Sequence, residues 1–206
     1  ITLSTIAGFI LEPIQGEAGV YELSLEFLQT VRAQTAKFNI PLIFDEIQCG
    51  TYRCGTMSCL ANTGTYADIY TFSKALGGGY GKIGATSILA SHYHDEFGYL
   101  HTSTFAEDDL SSGIALKVLE ILSTDTKLVD DAMNTGRLLK DGLNKLKSEF
   151  PLIIKEVRGK GLMLSIEFLE NLTSLGYEFR TYVDSNMYGY ILSAALLNQE
   201  DLRTLT

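Results

Sequence analysis

The sequence has no tryptophan, three prolines, three histidines and three cysteines. It also lacks any cluster of Lys and Arg: 16 basic residues face 25 acidic ones, for a formal charge of −9. Neutralising nucleic-acid phosphates takes concentrated positive charge, so a nonspecific nucleic-acid partner is excluded. No apolar run reaches the length of a bilayer-crossing helix, and no membrane partner is expected. Cys49, Cys54 and Cys59 make an odd count, which argues for free thiols in a reducing, cytoplasmic setting. Their spacing lacks the C-x-x-C pairing of zinc sites, and no histidine lies nearby, so they read as free thiols in a loop. His92, His94, Asp95 and Glu96 in "SHYHDEF" have metal-ligand chemistry but nothing to orient it, and read as a solvated helical turn.

What remains is ordinary globular material, with 46% hydrophobic and 20% charged residues, enough for one or two domains. The chain opens inside a strand-like run and closes at "DLRTLT" without a stop signal, so it is expected to be part of a longer protein. "TIAGFILE" is a short apolar run ending in Glu12, followed by the turn-rich "PIQGEAG". Residues 24–38 read as a helix with Ser24 as N-cap and Leu25, Phe27, Leu28, Val31 and Phe38 on its apolar side. "IPLIFDE" ends in Asp45 and Glu46, "ADIYTFSK" ends in Lys74, and "GATSILA" is a fourth such run. Short apolar strands with crossovers between them describe a parallel sheet buried on both faces. Ligands of such sheets sit beyond the carboxyl ends of the strands, the edge to which Glu12, Asp45 and Lys74 are delivered.

After His101 the pattern becomes helical. One helix begins at Asp108 or Asp109, with Leu110, Ile114, Leu116, Val118, Leu119 and Leu122 expected mostly inward. A longer amphipathic helix from Thr126 is broken by Pro151. "LIIKEVRGKGLMLSIEF" then reads as two strands joined at Gly159 and Gly161, and "NMYGYILSAALLN" as a helix without an assigned role.

Lys74 precedes a glycine run, which raises two possibilities. "GYGKIG", residues 79–84, matches G-x-G-x-x-G, but that pattern cradles pyrophosphate only when it opens a helix, and "ATSILA" reads as a strand. A Walker loop would need a glycine and a hydroxyl where Leu76 and Ile83 stand. The alternative is a lysine that forms a Schiff base with an aldehyde cofactor such as pyridoxal phosphate. That chemistry needs a carboxylate to keep the pyridine nitrogen protonated. Asp45 supplies one, Gln48 one turn later offers a donor to the ring hydroxyl, and glycines 77–79 let the backbone pass beside a flat ring.

With these residues in view, the chain from about Ile6 to Phe168 resembles the class III aminotransferases of fold type I, including the ornithine, acetylornithine and γ-aminobutyrate enzymes. The resemblance rests on "EPIQGEAG", "IFDEIQCG", "FSKALGGG", "HTSTF" and "VRGKGLML", in that order. It implies an α/β fold: a mainly parallel sheet with flanking helices over residues 1–123, part of the large cofactor domain, and the start of a small α+β domain over residues 124–206. It implies that Lys74 carries pyridoxal 5'-phosphate and shuttles the proton, that Asp45 pairs with the ring nitrogen and that Gln48 bonds the ring hydroxyl. Thr104 would reach the phosphate bound by the second subunit of a homodimer. Glu17 matches an acid that in some members pairs with a substrate-binding arginine, and Glu12 would support the site.

The implied reaction moves an amino group from an amine or ω-amino acid to a keto acid in a ping-pong cycle. Aminomutase, racemase or decarboxylase chemistry on the same cofactor is the first alternative, and a degenerate scaffold domain the second. Two departures stand out. Glu107, Asp108 and Asp109 occupy a stretch that is usually glycine-rich and would repel a phosphate unless they point away. The N-terminal phosphate turn and the C-terminal carboxylate-binding arginine of the family fall outside the sequence.

Overall fold

The computed structural model describes residues 5–101, 103–169, 187–200 and 202–204. Of the segments read above, Thr102 of "HTSTF", Asn186 of "NMYGYILSAALLN", and Asp201, Leu205 and Thr206 of "DLRTLT" lie outside the described residues. Two compact units are present: residues 1–143 with 157–165, and residues 144–156 with 166–206.

The first unit is built on a four-stranded sheet. Its strands are β1 (Phe9–Leu11), β4 (Leu42–Asp45), β5 (Ile69–Phe72) and β6 (Ala85–Ile88), in the order β1-β4-β5-β6. β1 pairs with β4 and β4 with β5 in parallel. Between β1 and β4, a small hairpin of β2 (Ile14–Gln15) and β3 (Tyr21–Glu22) precedes helix α1 (Leu25–Lys37). The α1 crossover makes the first parallel pairing possible.

The sheet is mainly parallel, as expected; its fourth strand is the exception, because β6 runs antiparallel to β5. The link between them holds only a 3-10 turn, Lys74–Gly77, and a glycine turn. With no crossover helix, the chain folds back on itself, as an edge strand of a mixed sheet can. Burial on both faces is not met: Leu42 and Phe44, on one face of β4, are fully buried, whereas Ile43 and Asp45 on the other are half-buried, and Phe9 and Ile10 of β1 are exposed. The core joins Ile14, Leu28, Leu42, Phe44, Leu60 and Ala67 with all three cysteines.

Ser24 caps α1 through its side chain, which accepts from the Phe27 amide at 3.2 Å. The buried side of α1 is Leu28 and Thr35, whereas Leu25, Phe27 and Phe38 are exposed, contrary to expectation. Arg32, half-buried on this helix, donates to Asp68 at 2.9 Å. Short helix α2 (Asp95–Leu100) holds Asp95 and Glu96, exposed like the preceding His94.

Asp108 is the N-cap of α3 (Asp109–Thr124) and accepts from the Ser111 amide at 2.7 Å. That bond holds its carboxyl below the usual range. Ala115 is the buried centre of α3, packed with Phe72 and Leu76. Leu110 and Leu116 were expected inward but are exposed, because the helical period turns them off the Ala115 side.

Helix α4 (Thr126–Glu149) stops before Pro151. Strands β7 (Ile154–Lys160) and β8 (Met163–Phe168) form a two-stranded sheet, joined where Gly159 and Gly161 both take positive φ. In the second unit, Lys155 pairs with Glu167, and the last helix, α5 (Tyr188–Glu200), bears out the helical reading of the C-terminal segment.

Candidate active site

Two adjacent strand ends carry the central pair. Asp45, the last residue of β4, lies in register with Thr71 of β5. The Glu46 amide donates to the Thr71 carbonyl at 3.0 Å, extending the pairing past the strand end. Adjacent strands lie about 4.8 Å apart, and Lys74 follows three residues after Thr71. Asp45 is half-buried, and its Oδ1 accepts from the Ile47 amide at 3.0 Å. An Asx turn of this kind fixes the carboxylate at the strand mouth.

Lys74 is exposed and has φ +46, in the left-handed region. Such a backbone costs a non-glycine residue about 1–2 kcal/mol and persists only where neighbours enforce it. Ser73 enforces it on one side by donating its hydroxyl to the Ile83 carbonyl at 2.7 Å. Buried Leu76 and Gly77 enforce it on the other. The glycine run has a second reason to exist. A Cβ on Gly78 would stand 2.6 Å from Val118 of α3, so the glycine lets that helix pack down on the Lys74 turn. No Cβ contact within 4 Å constrains Gly79.

Gln48 is held by a second set of residues. Its Nε2 donates to Glu17 Oε1 at 2.8 Å. A Cβ on Gly16 would land on the Gln48 amide group, so only glycine leaves that side chain its place. Glu12 Oε2 accepts from the Gly16 amide at 3.0 Å, and the Gly16 carbonyl accepts from Gly19 and Val20. Glu12, Gly16, Glu17 and Gln48 thus form one contact chain beside Asp45. Glu12 and Asp45 also line one cleft along β1, together with Leu11 and Gln15; Lys74 is not on its wall.

Thr104 sits in an exposed turn ahead of α3, and no hydrogen bond among the described residues draws it toward that chain. Of the three acids that follow, Asp108 is committed to capping α3.

Two contributors, Arg158 and Asp68, had no role in the sequence reading, and a third, Glu46, was read only as an acid ending a strand-like run. Arg158 donates through Nε and a terminal nitrogen to the Gly19 carbonyl, at 3.0 and 2.8 Å, and its guanidinium lies 4.0 Å over the Tyr21 ring. It braces the turn that carries Glu17, and nothing local in "VRGKGLML" signals that long-range contact. Asp68, buried, accepts from the Leu42 amide at 2.8 Å and sets the start of β4. Glu46, fully buried directly after Asp45, accepts from the Ser58 hydroxyl at 2.5 Å, from the Cys59 amide at 3.1 Å and from the Cys49 thiol at 3.2 Å. The thiols are free, as expected from the odd count, but buried. Burial pushes Cys54 up to about 12, and a hydrogen bond with Cys49, then burial, pushes Cys59 above the ordinary thiol range.

The residues present suit pyridoxal phosphate. A carboxylate fixed at a strand end, an amide whose seat only glycine leaves clear, and an amine on the neighbouring strand's exit turn match the ring nitrogen, hydroxyl and aldehyde of that cofactor.

Comparison with known proteins agrees. The family model described as aminotransferase class-III matches residues 2–185. An ornithine aminotransferase from Plasmodium yoelii is 34% identical over 80% of this chain, with a TM-score of 0.68. An ornithine aminotransferase from Toxoplasma gondii, whose structure is described with partial occupancy of PLP at the active site, is 32% identical over 82% of this chain, with a TM-score of 0.72. An (S)-enantioselective omega-transaminase from Thermomicrobium roseum is 32% identical over 85%, with a TM-score of 0.71. This chain spans 44%, 39% and 40% of those three chains respectively. The fold is that of the fold-type I PLP-dependent transferases. The family model covers most of the sequence, and on that match the chain belongs to the class-III aminotransferases.

Proposed function

We propose that the intact protein is a pyridoxal-phosphate-dependent aminotransferase that moves an amino group from an amine or ω-amino acid to a keto acid in a ping-pong cycle. The observation that carries this reading is the register of Asp45 with Thr71, which sets the carboxylate beside the strand that delivers Lys74. When bound, the cofactor supplies an electron sink for the carbon that bears the amine. Lys74 would hold the cofactor through its Nζ and move a proton to and from that carbon. Asp45 would keep a proton on the ring nitrogen, and Gln48 would donate to the ring hydroxyl. Glu17 orients Gln48 through the 2.8 Å bond, and Glu12 holds the turn that presents Glu17. Thr104, exposed ahead of α3, suits contact with the cofactor phosphate of a second subunit in a homodimer. Free, buried thiols suit the cytoplasm.

The test is Lys74→Ala in the full-length protein. Loss of the visible band of bound cofactor together with loss of keto-acid-dependent amino transfer is expected. A variant that keeps both would overturn the assignment. Turnover of an amine without consumption of any keto-acid acceptor would exclude transamination.

A further inference from the structure

Glu46, Cys49 and Cys59 lie outside the proposed chemistry, yet they form the densest group of ligand atoms among the described residues. One carboxylate oxygen and the two sulfurs all lie within 4.8 Å of one another, and all three residues are buried. Cys49 Sγ is 3.2 Å from Glu46 Oε2. In a tetrahedral zinc site, Zn–S distances of about 2.3 Å and Zn–O distances of about 2.0 Å place neighbouring ligand atoms roughly 3.3–3.8 Å apart. The three atoms therefore need only small shifts to surround one ion.

The carboxylate is also oriented, as ligands of bound metals are. The Cys59 amide and the Ser58 hydroxyl both donate to it. Ser58 Oγ, 2.5 Å from Glu46 Oε1, offers a fourth ligand atom at the same place. On the far side, Lys160 Nζ donates to the Cys59 carbonyl at 3.2 Å. That cation balances the single net negative charge left by two thiolates, one carboxylate and one dication.

The connection around this group also needs a fastening. Between β4 and β5 the chain runs from Glu46 to Asp68 without a helix or strand. Connections beyond about 12–15 residues are uncommon in compact domains. This one turns about Glu46, which gathers residues 49, 58 and 59.

We propose that Glu46, Cys49 and Cys59 bind one thiophilic divalent cation of the zinc class, as a structural clasp behind Asp45 and Gln48. Binding replaces the two thiol protons, which leave to solvent, and no electron is transferred. Cysteine spacing alone spoke against a metal clip, because one ligand is a carboxylate, Glu46, three residues before Cys49, and the fold brings Cys59 to that pair from thirteen residues away.

The experiment uses full-length protein, stripped with a chelator and exchanged against Zn²⁺ or Cd²⁺. Elemental analysis after gel filtration should find one retained ion that depends on this group, and the Cd²⁺ form should show the ultraviolet thiolate-to-cadmium band. Cys49→Ser and Cys59→Ser should each weaken retention by about tenfold or more. Cys54→Ser, whose sulfur lies outside the group, should retain the ion. Should a serine variant fail to fold, the wild-type cadmium band and protection of Cys49 and Cys59 from alkylation by bound ion still decide. A wild-type protein with no cadmium band, ion retention unchanged in both serine variants, or a Cys49–Cys59 disulfide in the isolated protein would overturn the proposal.

Discussion

Gln48 and Glu17 are joined by a 2.8 Å hydrogen bond that links two segments 31 residues apart. The bond fixes which face of the amide remains for a ligand. Glu17→Ala should free Gln48 and lower amino transfer by about tenfold or less, the worth of one hydrogen bond. Glu17→Gln, which still presents an oxygen to Gln48, should stay near wild type. The bond is exposed, so the melting temperature should move little in either variant. Steady-state rates and thermal melts of the two variants side by side check this.

Asp45→Asn separates charge from shape. The asparagine oxygen can still accept from the Ile47 amide, as Asp45 Oδ1 does at 3.0 Å. Folding should therefore survive. If Asp45 faces the ring nitrogen as proposed, loss of its negative charge should lower kcat by roughly 10²–10³, the scale for removing one electrostatic stabiliser. Cofactor retained at wild-type occupancy with that loss of rate is the expected result. Undiminished turnover would remove Asp45 from the site.

Asp68→Ala strikes the scaffold instead. Asp68 is buried and accepts from both Arg32 and the Leu42 amide. Its removal strands a half-buried guanidinium and an amide at the start of β4. Breaking such a pair costs about 3–5 kcal/mol. Because β4 ends at Asp45, cofactor occupancy should fall along with stability. Urea unfolding of the variant measures the first effect and the visible band the second.

Much of this was readable from residue patterns. The runs ending at Glu12, Asp45 and Lys74 hold strands β1, β4 and β5, with Asp45 the last residue of its strand and Glu12 and Lys74 one and two residues past theirs, because short apolar segments bounded by turn residues have few other ways to bury themselves. Ser24 and Asp108 capped their helices because their side chains satisfy amides that would otherwise be unpaired. The reversal of β6 was not readable, since strand direction depends on the path of the link and not on the strand itself. Nor was the inward side of α3: with so many apolar positions, Leu110 and Leu116 could not be told from true core residues by composition. Glu46 was seen only as an acid at a strand end. Its burial depends on a backbone amide and a hydroxyl thirteen and twelve residues away, which no local spacing encodes.

Alkaline unfolding tests the burial of the thiols in protein kept metal-free with a chelator. Cys54 ionises near 9.0 when unperturbed and is pushed up to about 12 in the fold, chiefly by burial. The folded state therefore keeps a proton that the unfolded chain releases. Stability from this group is fully present below pH 9 and is lost as pH rises from 9 toward 12. Cys59 shifts in the same direction, so both thiols steepen the loss. Urea midpoints should hold steady from pH 7 to pH 9 and then fall. Cys54→Ala should begin lower, because a buried sulfur has been removed, but should fall less steeply above pH 9. An identical alkaline slope in wild type and variant would mean that Cys54 is open to water.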